Sequence, residues 1–507
     1  MQRHTPILFF LIITFGLCSG PLRAQKRERV KLIKADAARY DQKLGENVQR
    51  LIGNVALKHD STLLYCDSAW LDESDNSFTG FGHVWIKASD TLDLWGNYLE
   101  YNGNDKIAEM EGNVILRDKR GSLLTEHLTY DRTRKLAFYK TGGKIIDTAN
   151  TLTSRIGYYN TDQQMAWFKE DVVLENEKYT IYTDTLQYHT ASEFAWFHGP
   201  TVIESDENTI YCERGWYDTR NGKSKFAQNT RMSTAEQILY ADTLFYDRSS
   251  DFGIARSRIR LIDTVQDMSV QGNYGEFRRE AGNAFVTGKA IATLADDQDT
   301  LFLHSDTLWM EFDTLQELKQ LLAYHKVKFY RKDLQGMSDS LVYKLADSTI
   351  FLYLNPVLWS GSNQLSSDSI HIFMQNKKLD TIALMGHAFI ISVDDTVSMS
   401  TYNQIKGKIM VGRFKDNMLR RIDVYGNAET VYYIRDEDLS LLGINVAFSS
   451  DLWIALEDND VVTISFIREP DAQTYAPGKL PEEYKRLKDF KWLEDRRPAT
   501  KDDIFFW

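Results

Sequence analysis

Proline, cysteine and long hydrophobic runs are scarce in this sequence. Its 507 residues include 8 prolines and 3 cysteines, and Lys plus Arg number 60 against 72 for Asp plus Glu. The resulting net charge of −12 argues against nucleic-acid binding, which requires a basic face. Beyond the N-terminal segment no run approaches about 18 continuous apolar residues, so no transmembrane segment is predicted in the mature chain.

Aromatic residues, in contrast, are abundant. Tyr, Phe and Trp make up 12% of the chain, and aromatic residues with few prolines suit pleated, half-buried strands. Over residues 108–116 apolar residues alternate with Glu109, Glu111 and Asn113. A period of two indicates strands with one buried face. The predicted fold class is therefore all-β.

The N-terminus has the features of a secretory signal peptide. A basic start at Arg3 precedes an apolar run over residues 7–18, and the small residue Ala24 closes the segment. The run is shorter than the about 20 residues that span a membrane. We therefore predict a signal peptide over residues 1–24 that is cleaved after Ala24, so that the protein is secreted.

Two motifs recur in phase along most of the chain. The first starts with an acidic residue, as in Asp242-Thr243-Leu244-Phe245-Tyr246, and the second is Gly-Asn-Val or a variant. Copies of the first begin at Asp36, Asp67, Asp184, Asp242, Asp306, Asp339 and Asp368, with weaker copies at Asn97, Glu126, Ser154, Glu213, Asn273 and Tyr402. The second lies between them, at residues 53–55, 82–84, 112–114, 199–201, 355–357, 386–388 and 426–428. Together they define about thirteen units of ~30 residues.

A unit of this length cannot bury its apolar face alone and must stack on its neighbours. We predict an elongated, solenoid-like stack of antiparallel strands over residues 25–433, with the motif glycines at bulges or close backbone approaches. Cys66 and Cys212 hold equivalent places five repeats apart, which corresponds to at least ~24 Å at one strand spacing per repeat. A disulfide needs a Cα separation below ~7 Å, so two free thiols are predicted.

The C-terminal residues depart from the repeat. Both motifs fade from residue 434, and Pro470, Pro477, Pro481 and Pro498 are half of all the prolines. Pro481 precedes Glu482 and Glu483, which is typical of a helix with proline at its first turn. We predict an extension over residues 434–507 with a short helix near 482–493, and expect it to cap the last open strand edge.

The phased motifs resemble the OstA-like family, which includes the periplasmic lipopolysaccharide-transport protein LptA and the soluble N-terminal domain of LptD. The resemblance is carried by copies such as Ala241–Asp247 and Gly112–Leu116 and covers roughly residues 33–430. It implies a β-jellyroll (β-taco) whose V-shaped interior shields lipid acyl chains. It also implies end-to-end strand pairing with other lipopolysaccharide-transport proteins. This chain differs from the short family members in its many repeats and its C-terminal extension.

If the resemblance extends to the interior, apolar residues of the repeats would line a lipid groove. The same alternation would arise if they packed against each other in a filled core, so both interpretations stay open. An acidic net charge is compatible with acyl chains held inside, but argues against a basic patch for head groups. The candidates are Leu99, Tyr101, Val114, Leu116, Leu128, Tyr130, Leu186, Tyr188, Leu244 and Tyr246.

No catalytic, metal or cofactor site is predicted. The ten histidines form no His-x-x-x-His or His-Glu-x-x-His grouping, and no Gly-x-Ser-x-Gly elbow occurs. The repeated acids supply one carboxylate per unit, whereas a calcium site needs six to eight oxygen ligands. Paired catalytic acids leave no local signature, so a polysaccharide-active β-helix enzyme stays a third alternative.

The predicted function is periplasmic transport or assembly of lipopolysaccharide or a related glycolipid, without catalysis. Lipopolysaccharide and other transport proteins are the expected partners, the periplasm is the expected location, and association with the outer membrane is left open. The first alternative is a non-catalytic envelope scaffold or adhesin-like β-solenoid with a packed interior.

Overall fold

A computed structural model describes residues 29–40, 45, 47–119, 121–265, 267–295, 299–314, 317–375, 378–394, 400–416, 418–436, 438–457 and 460–507. The predicted signal peptide lies outside these residues. The chain divides into two compact units, Met1–Thr148 (unit 1) and Ala149–Trp507 (unit 2). Strands form most of the described residues of both units, and the prediction of an all-β, antiparallel, repeat-built fold is confirmed.

Unit 1 contains ten strands in its described residues, most of them 11 to 13 residues long. Consecutive strands from β3 to β9 are antiparallel neighbours, while β1 and β2 both pair with β3. The strands are β1 Lys31–Lys34, β2 Ala37–Tyr40, β3 Val48–His59, β4 Thr62–Asp72, β5 Ser77–Ser89, β6 Leu92–Asn102, β7 Ile107–Arg117, β8 Gly121–Asp131, β9 Leu136–Tyr139 and β10 Gly143–Asp147.

Unit 2 continues the pattern with twenty-four strands in its described residues. They are β11 Asn150–Ser154, β12 Ile156–Asn160, β13 Met165–Asn176, β14 Tyr179–His189, β15 Phe194–Ser205, β16 Thr209–Asp218, β17 Lys223–Ser233, β18 Gln237–Asp247, β19 Phe252–Asp263, β20 Met268–Arg278, β21 Asn283–Ala295, β22 Thr300–Phe312, β23 Leu318–Tyr330, β24 Gln335–Lys344, β25 Thr349–Tyr353, β26 Val357–Ser360, β27 Asn363–Ser366, β28 Ser369–Gln375, β29 Lys378–Val393, β30 Tyr402–Lys415, β31 Met418–Arg435, β32 Leu441–Glu457, β33 Asp460–Ile467 and β34 Asp471–Tyr475.

In five of its seven copies the second motif is a two-residue bulge with both residues in the left-handed region, whereas the copies at 199–201 and 355–357 have proline as the second residue. Gly112 has φ +76° and Asn113 +48°, and the register of β7 with β8 shifts between Glu111 and Val114. Such a bulge bends the strand, and glycine adopts its conformation without steric cost. The same geometry recurs where the sequence motif is absent, at Glu170–Asp171, Gln228–Asn229, Ser257–Arg258, His325–Lys326 and Arg468–Glu469.

The acid of the first motif contacts the bulge of the adjacent strand, which explains why the motifs stay in phase. A Cβ on Gly53 would clash with the carboxylate of Asp36, whose amide donates to the Gly53 carbonyl at 2.9 Å. Side chains following the glycine bond the same acids: Asn54 donates to Asp36 at 2.7 Å, and His83 lies 2.7 Å from Asp67. Within the described residues the acids therefore have a structural role in bracing the bulge.

Each long strand has an inner face, which carries the buried residues, and an opposite outer face. In unit 1 the inner face forms one core cluster from Val30 to Tyr139. In unit 2 the largest cluster runs from Val270 to Leu456. An apolar cavity of about 40 Å³ lies within it, lined by residues including Leu384 and Met410. That volume is close to one water molecule, so this part of the interior is filled.

The residues after β34 lie across the outer face of β22–β34. They include the helix α1 Glu482–Lys485, which covers only the start of the segment predicted as helical, and the 3-10 turns Glu494–Arg496 and Asp503–Phe505. Two fully buried glutamines hold this tail: Gln404 bonds the backbone of Lys485 and Leu487, and Gln364 bonds that of Lys491 and Leu493. The expected capping of the last strand edge stays a prediction.

Candidate functional site

Two rows of apolar side chains border the inner face. In β3–β9 and β13–β24, the A turns join each odd-numbered strand to the next even-numbered one, and the B turns join each even-numbered strand to the next odd-numbered one. The row near the A turns is aliphatic and is called the aliphatic ladder. The row near the B turns alternates aromatic and small residues and is called the aromatic ladder. Both arise because strand side chains point to opposite faces with a period of two.

In unit 1 both ladders are buried. Cross-strand pairing links Leu57, Leu64, Ile86, Leu94, Leu116 and Leu123 in the aliphatic ladder, and none is more than 8% exposed. The aromatic ladder comprises Leu71, Phe78, Tyr101, Ala108, Tyr130 and Ala137, none more than 9% exposed. The interior of unit 1 is therefore filled by the side chains of unit 1.

A polar clasp joins the two turn ends in unit 1. His59, at the A-turn end of β3, lies with Nδ1 2.5 Å from the hydroxyl of Tyr101, at the B-turn end of β6. Asp60 in the adjoining A turn accepts from Lys106 at 2.9 Å and pairs with Arg132 at 3.5 Å, and both cations lie in B turns. The A and B turns lie at opposite ends of the strands. These contacts therefore show that the sheet of unit 1 folds over, so that the two ends of its strands meet.

Unit 2 has an aliphatic ladder of its own, which is only half-buried over β13–β19. Successive pairs join Leu174, Ile181, Ile203, Ile210, Met232, Leu239 and Leu261, and of these only Ile181 is buried. From Val270 onward the row is buried again, through Ala292, Leu303 and Phe329. The accessible part thus has defined limits along the chain.

The aromatic ladder of unit 2 is half-buried over the same strands. Tyr188, Tyr217, Tyr246 and Phe277 come from β14, β16, β18 and β20, and Ala195, Ser224 and Gly253 lie between them. Burial and a hydrogen bond to Asp251 raise the pKa of Tyr246 to about 12, so its hydroxyl stays protonated at neutral pH. Of the small residues between the rings, Ala195 and Ser224 are buried.

The inner face between the ladders is closed. Phe168, Leu186, Phe197, Phe226 and Leu244 form its floor in β13–β18 and are at most 7% exposed. Thr183 and Thr201 share a hydrogen bond of 2.8 Å there, which satisfies two buried hydroxyls. Strands β13–β20 therefore form an apolar trough with a buried floor and half-exposed sides, called here the trough.

All ten residues proposed from the sequence lie on the inner face, but in different surroundings. Six belong to the filled core of unit 1 and are buried: Leu99, Tyr101, Val114, Leu116, Leu128 and Tyr130. In unit 2, Leu186 and Leu244 lie in the trough floor, while Tyr188 and Tyr246 lie in its half-buried aromatic ladder. That any of them contacts lipid stays a prediction.

Sequence reasoning missed the aliphatic side of the trough. Its even-strand members Ile181, Ile210 and Leu239 each lie three residues before the acid of the first motif. Leu64 and Leu303 hold that position in other repeats, so the recurrence itself could have identified the ladder. Exposure could not be identified in this way, because buried Leu64 and half-buried Leu239 occupy the same place in the repeat.

Both described cysteines are free, as predicted. Burial raises the pKa of Cys66 to about 11 and that of Cys212 to about 12. Their thiols therefore stay protonated and poorly nucleophilic near neutral pH. Among the residues for which positions are given, no cluster of three metal-binding side chains occurs.

Comparison with known proteins agrees with the motifs. Residues 27–184 match the family model described as OstA-like protein. The resemblance to the OstA-like family is confirmed there. The chain is also similar to the solved structure of LptH from Pseudomonas aeruginosa, "the LptA homologous periplasmic component of the conserved lipopolysaccharide transport device". That similarity has 15% identity, covers 23% of this chain and 82% of that chain, and has a TM-score of 0.20.

No curated protein matches this chain. The family match ends at residue 184, within β14, so it includes unit 1 and only the start of the trough. In the described part of the chain, no helix is both long and apolar enough to cross a membrane.

Proposed function

We propose that this protein shields the acyl chains of lipopolysaccharide or a related glycolipid in the periplasm, and that the trough in β13–β20 receives them. The observation that carries this proposal is the half-exposure of the larger side chains of the two ladders, other than buried Ile181, above a buried floor. The match of residues 27–184 to the OstA-like family supports it independently. No catalytic group is required, because shielding is passive.

The hydrophobic effect is large enough for this role. Burying a methylene group contributes about 0.8 kcal/mol, so ten methylenes of one acyl chain would contribute about 8 kcal/mol. The trough crosses eight strands spaced ~4.8 Å apart, which gives it a length of ~34 Å. Its half-buried leucines and tyrosines would gain burial when a chain lies against them.

End-to-end strand pairing with other transport proteins is part of the same proposal. The first strands, β1 and β2, pair with β3 and expose large apolar side chains, including Leu32, Ile33 and Tyr40. An edge strand with exposed apolar residues favours pairing with another chain. Export through the predicted signal peptide would place both the edge and the trough in the periplasm.

The proposal that the trough binds lipid is tested by introducing charged side chains on its inner face. Leu239 and Leu261 are a cross-strand pair there, whereas Phe245 and Ile254 are a pair on the outer face of the same strands, and all four are half-buried. The double variant Leu239→Asp/Leu261→Asp should bind purified lipopolysaccharide at least about tenfold more weakly than the wild type. The matched variant Phe245→Asp/Ile254→Asp should bind within about twofold of it.

Circular dichroism melts of both variants establish that each is folded at the assay temperature. Equal loss of binding in the two variants, or unchanged binding in the first, would contradict the trough as the lipid site. The same result would favour a scaffold with a packed interior, the alternative that the filled core of unit 1 supports.

A further inference from the structure

One row of outer-face residues runs laterally from strand to strand through unit 2 and is only partly covered. Cross-strand pairing runs from β23 to β16 with one residue on each strand: Lys328, His304, Ile291, Gln271, Arg260, Tyr240, Arg231 and Tyr211. The row continues to Tyr182 on β14. It is called here the outer row.

The C-terminal tail covers the outer row at Lys328 and His304. The ammonium of Lys328, which is 6% exposed, donates to the backbone carbonyl of Arg496 at 3.2 Å. The ring of His304 packs against Phe505 with centroids 4.7 Å apart. In this part of the row, one cation and one ring therefore bind tail residues in the 3-10 turns Glu494–Arg496 and Asp503–Phe505.

The remainder of the row offers the same kinds of group without a cover. Arg231 and Arg260 are exposed, as are Tyr182 and Tyr240, which are 44% and 37% exposed. Neither arginine is in an ion pair among the residues that the structure describes. Tyr182, Tyr211 and Tyr240 follow one another at intervals of 29 residues, on alternate strands. The uncovered part of the row therefore carries a tyrosine on every second strand.

We propose that the open outer row, from Tyr182 on β14 to Arg260 on β19, docks an acidic, extended peptide segment of another protein. The carboxylates of the segment would pair with Arg231 and Arg260, and its side chains would pack against the intervening tyrosines. The proposal concerns the outer face and is independent of what the trough binds.

Charge complementarity specifies the acidic character of the segment. The chain as a whole has a net charge of −12, yet Arg214, Arg231, Arg256 and Arg260 are all exposed within β16–β19. Arginine presents a planar fork that binds carboxylates in bidentate geometry. Exposed arginines that form no ion pair with a described residue, such as Arg231 and Arg260, select acidic partners and speed their encounter.

Continuity with the covered half specifies that the occupant is a peptide. The tail crosses the strands by bonding through its backbone, to Lys328 and to the paired amides of Gln364 and Gln404. From β14 to β19 the open row spans five strand intervals, or ~24 Å. An extended peptide rises ~3.3 Å per residue, so about seven residues would cover it.

The test uses a fluorescein-labelled twelve-residue peptide with glutamate at every second position and threonine or phenylalanine between, and a counterpart with glutamine for each glutamate. Fluorescence anisotropy with the full-length protein should show saturable binding of the glutamate peptide, weakened by added salt. The glutamine peptide should bind at least about tenfold more weakly. Absence of binding by the glutamate peptide would overturn the proposal.

The matched variants reverse two charges each. Arg231→Glu/Arg260→Glu should weaken binding at least about tenfold. Arg39→Glu/Arg50→Glu, which alters an exposed cross-strand arginine pair in unit 1, should leave it unchanged. Equal loss in both variants would mean a nonspecific charge effect and would overturn the proposal.

Two further probes address other anionic partners, namely oligogalacturonate and phosphatidylglycerol vesicles. If either binds through Arg231 and Arg260 more tightly than the glutamate peptide does, the surface recognises a glycan or a membrane and the proposal is wrong. Lipopolysaccharide binding by Arg231→Glu/Arg260→Glu should equal that of the wild type. Failure of this proposal is thus separable from failure of the trough.

Discussion

The aliphatic ladder of unit 1 is covered by the rest of that unit, whereas the aliphatic ladder of unit 2 is half-open over β13–β19. Leu94 and Leu239 occupy equivalent places in the repeat, yet Leu94 is 1% exposed and Leu239 is half-buried. Residue type and register therefore do not decide whether this fold makes a core or a groove. At the strand ends unit 1 has the polar clasp, whereas in the trough Tyr179 at the A-turn end of β14 meets Tyr217 of the aromatic ladder through a ring contact with centroids 6.3 Å apart.

The largest expected effect is on stability, when a large side chain is removed from the core of unit 1 or from the trough. Leu99→Ala removes a fully buried side chain from the core of unit 1 and should lower the free energy of unfolding by about 3 kcal/mol. Leu239→Ala, in the trough, should lower it by about 1 kcal/mol, because part of that side chain is already in water. Denaturant unfolding measures both. Equal losses would mean that the trough is packed like unit 1.

A second prediction concerns the bulges that bend the strands. Gly112→Val places a branched side chain at φ +76°, with its Cβ 2.9 Å from Asn97, and should cost about 2 kcal/mol or more. Gly253→Ala has its nearest neighbour at 3.7 Å and no left-handed backbone, so it serves as the control and should cost below about 1 kcal/mol. If Gly112→Val left the free energy of unfolding unchanged, the glycine would not be required at this bulge.

A third prediction concerns the clasp. Asp60→Ala leaves Lys106 and Arg132 without this carboxylate, and should destabilise unit 1 by about 1 kcal/mol, because the pairs are partly exposed to solvent. Hydrogen exchange at the A-turn end of β3 should accelerate. Asp67→Ala, which removes a carboxylate that is 61% exposed, should leave exchange at that end unchanged. If both variants behave alike, the clasp does not hold the strand ends together.

The smallest effect is expected where unit 2 makes the bulge without glycine. Ser257 has φ +60°, a conformation that costs a non-glycine residue about 1–2 kcal/mol. Ser257→Gly should therefore raise the free energy of unfolding by about 0.5–1 kcal/mol. The gain is smaller than the strain relieved, because glycine also adds conformational entropy to the unfolded chain. Ser233→Gly, within strand β17, should destabilise by about as much. Destabilisation by both would contradict the bulge account.

The periodic part of the fold was predictable from the sequence, because alternation and phased motifs are local signals. Bulges such as Glu170–Asp171 were not, since they lack the glycine that marks Gly112–Asn113. The tail was recognisable by its prolines, but its location was not, because Gln364 and Gln404 resemble surface residues in the sequence and yet are buried beneath it. The repeat geometry also continues to Arg468–Glu469, past the fading of the motifs at residue 434.

The candidate site was predictable only in part, for the same reason. Alternation placed all ten residues on the inner face, but burial depends on contacts between opposite strand ends. The Asp60–Lys106 pair joins residues 46 positions apart, and no local pattern specifies whether such ends meet. The sequence therefore left a filled core and a groove equally open, and the structure contains both kinds of interior.

Photocrosslinking in living cells compares the aliphatic ladder of the trough with that of unit 1 most directly. A photoreactive phenylalanine analogue replaces Leu239 in the trough, Leu94 in unit 1 or, as a control, Tyr240 on the outer face beside Leu239. Adducts with lipopolysaccharide are expected from position 239 and not from 94 or 240. Adducts from 94 in the absence of adducts from 239, or equal adducts from all three positions, would contradict the trough as the path of the lipid.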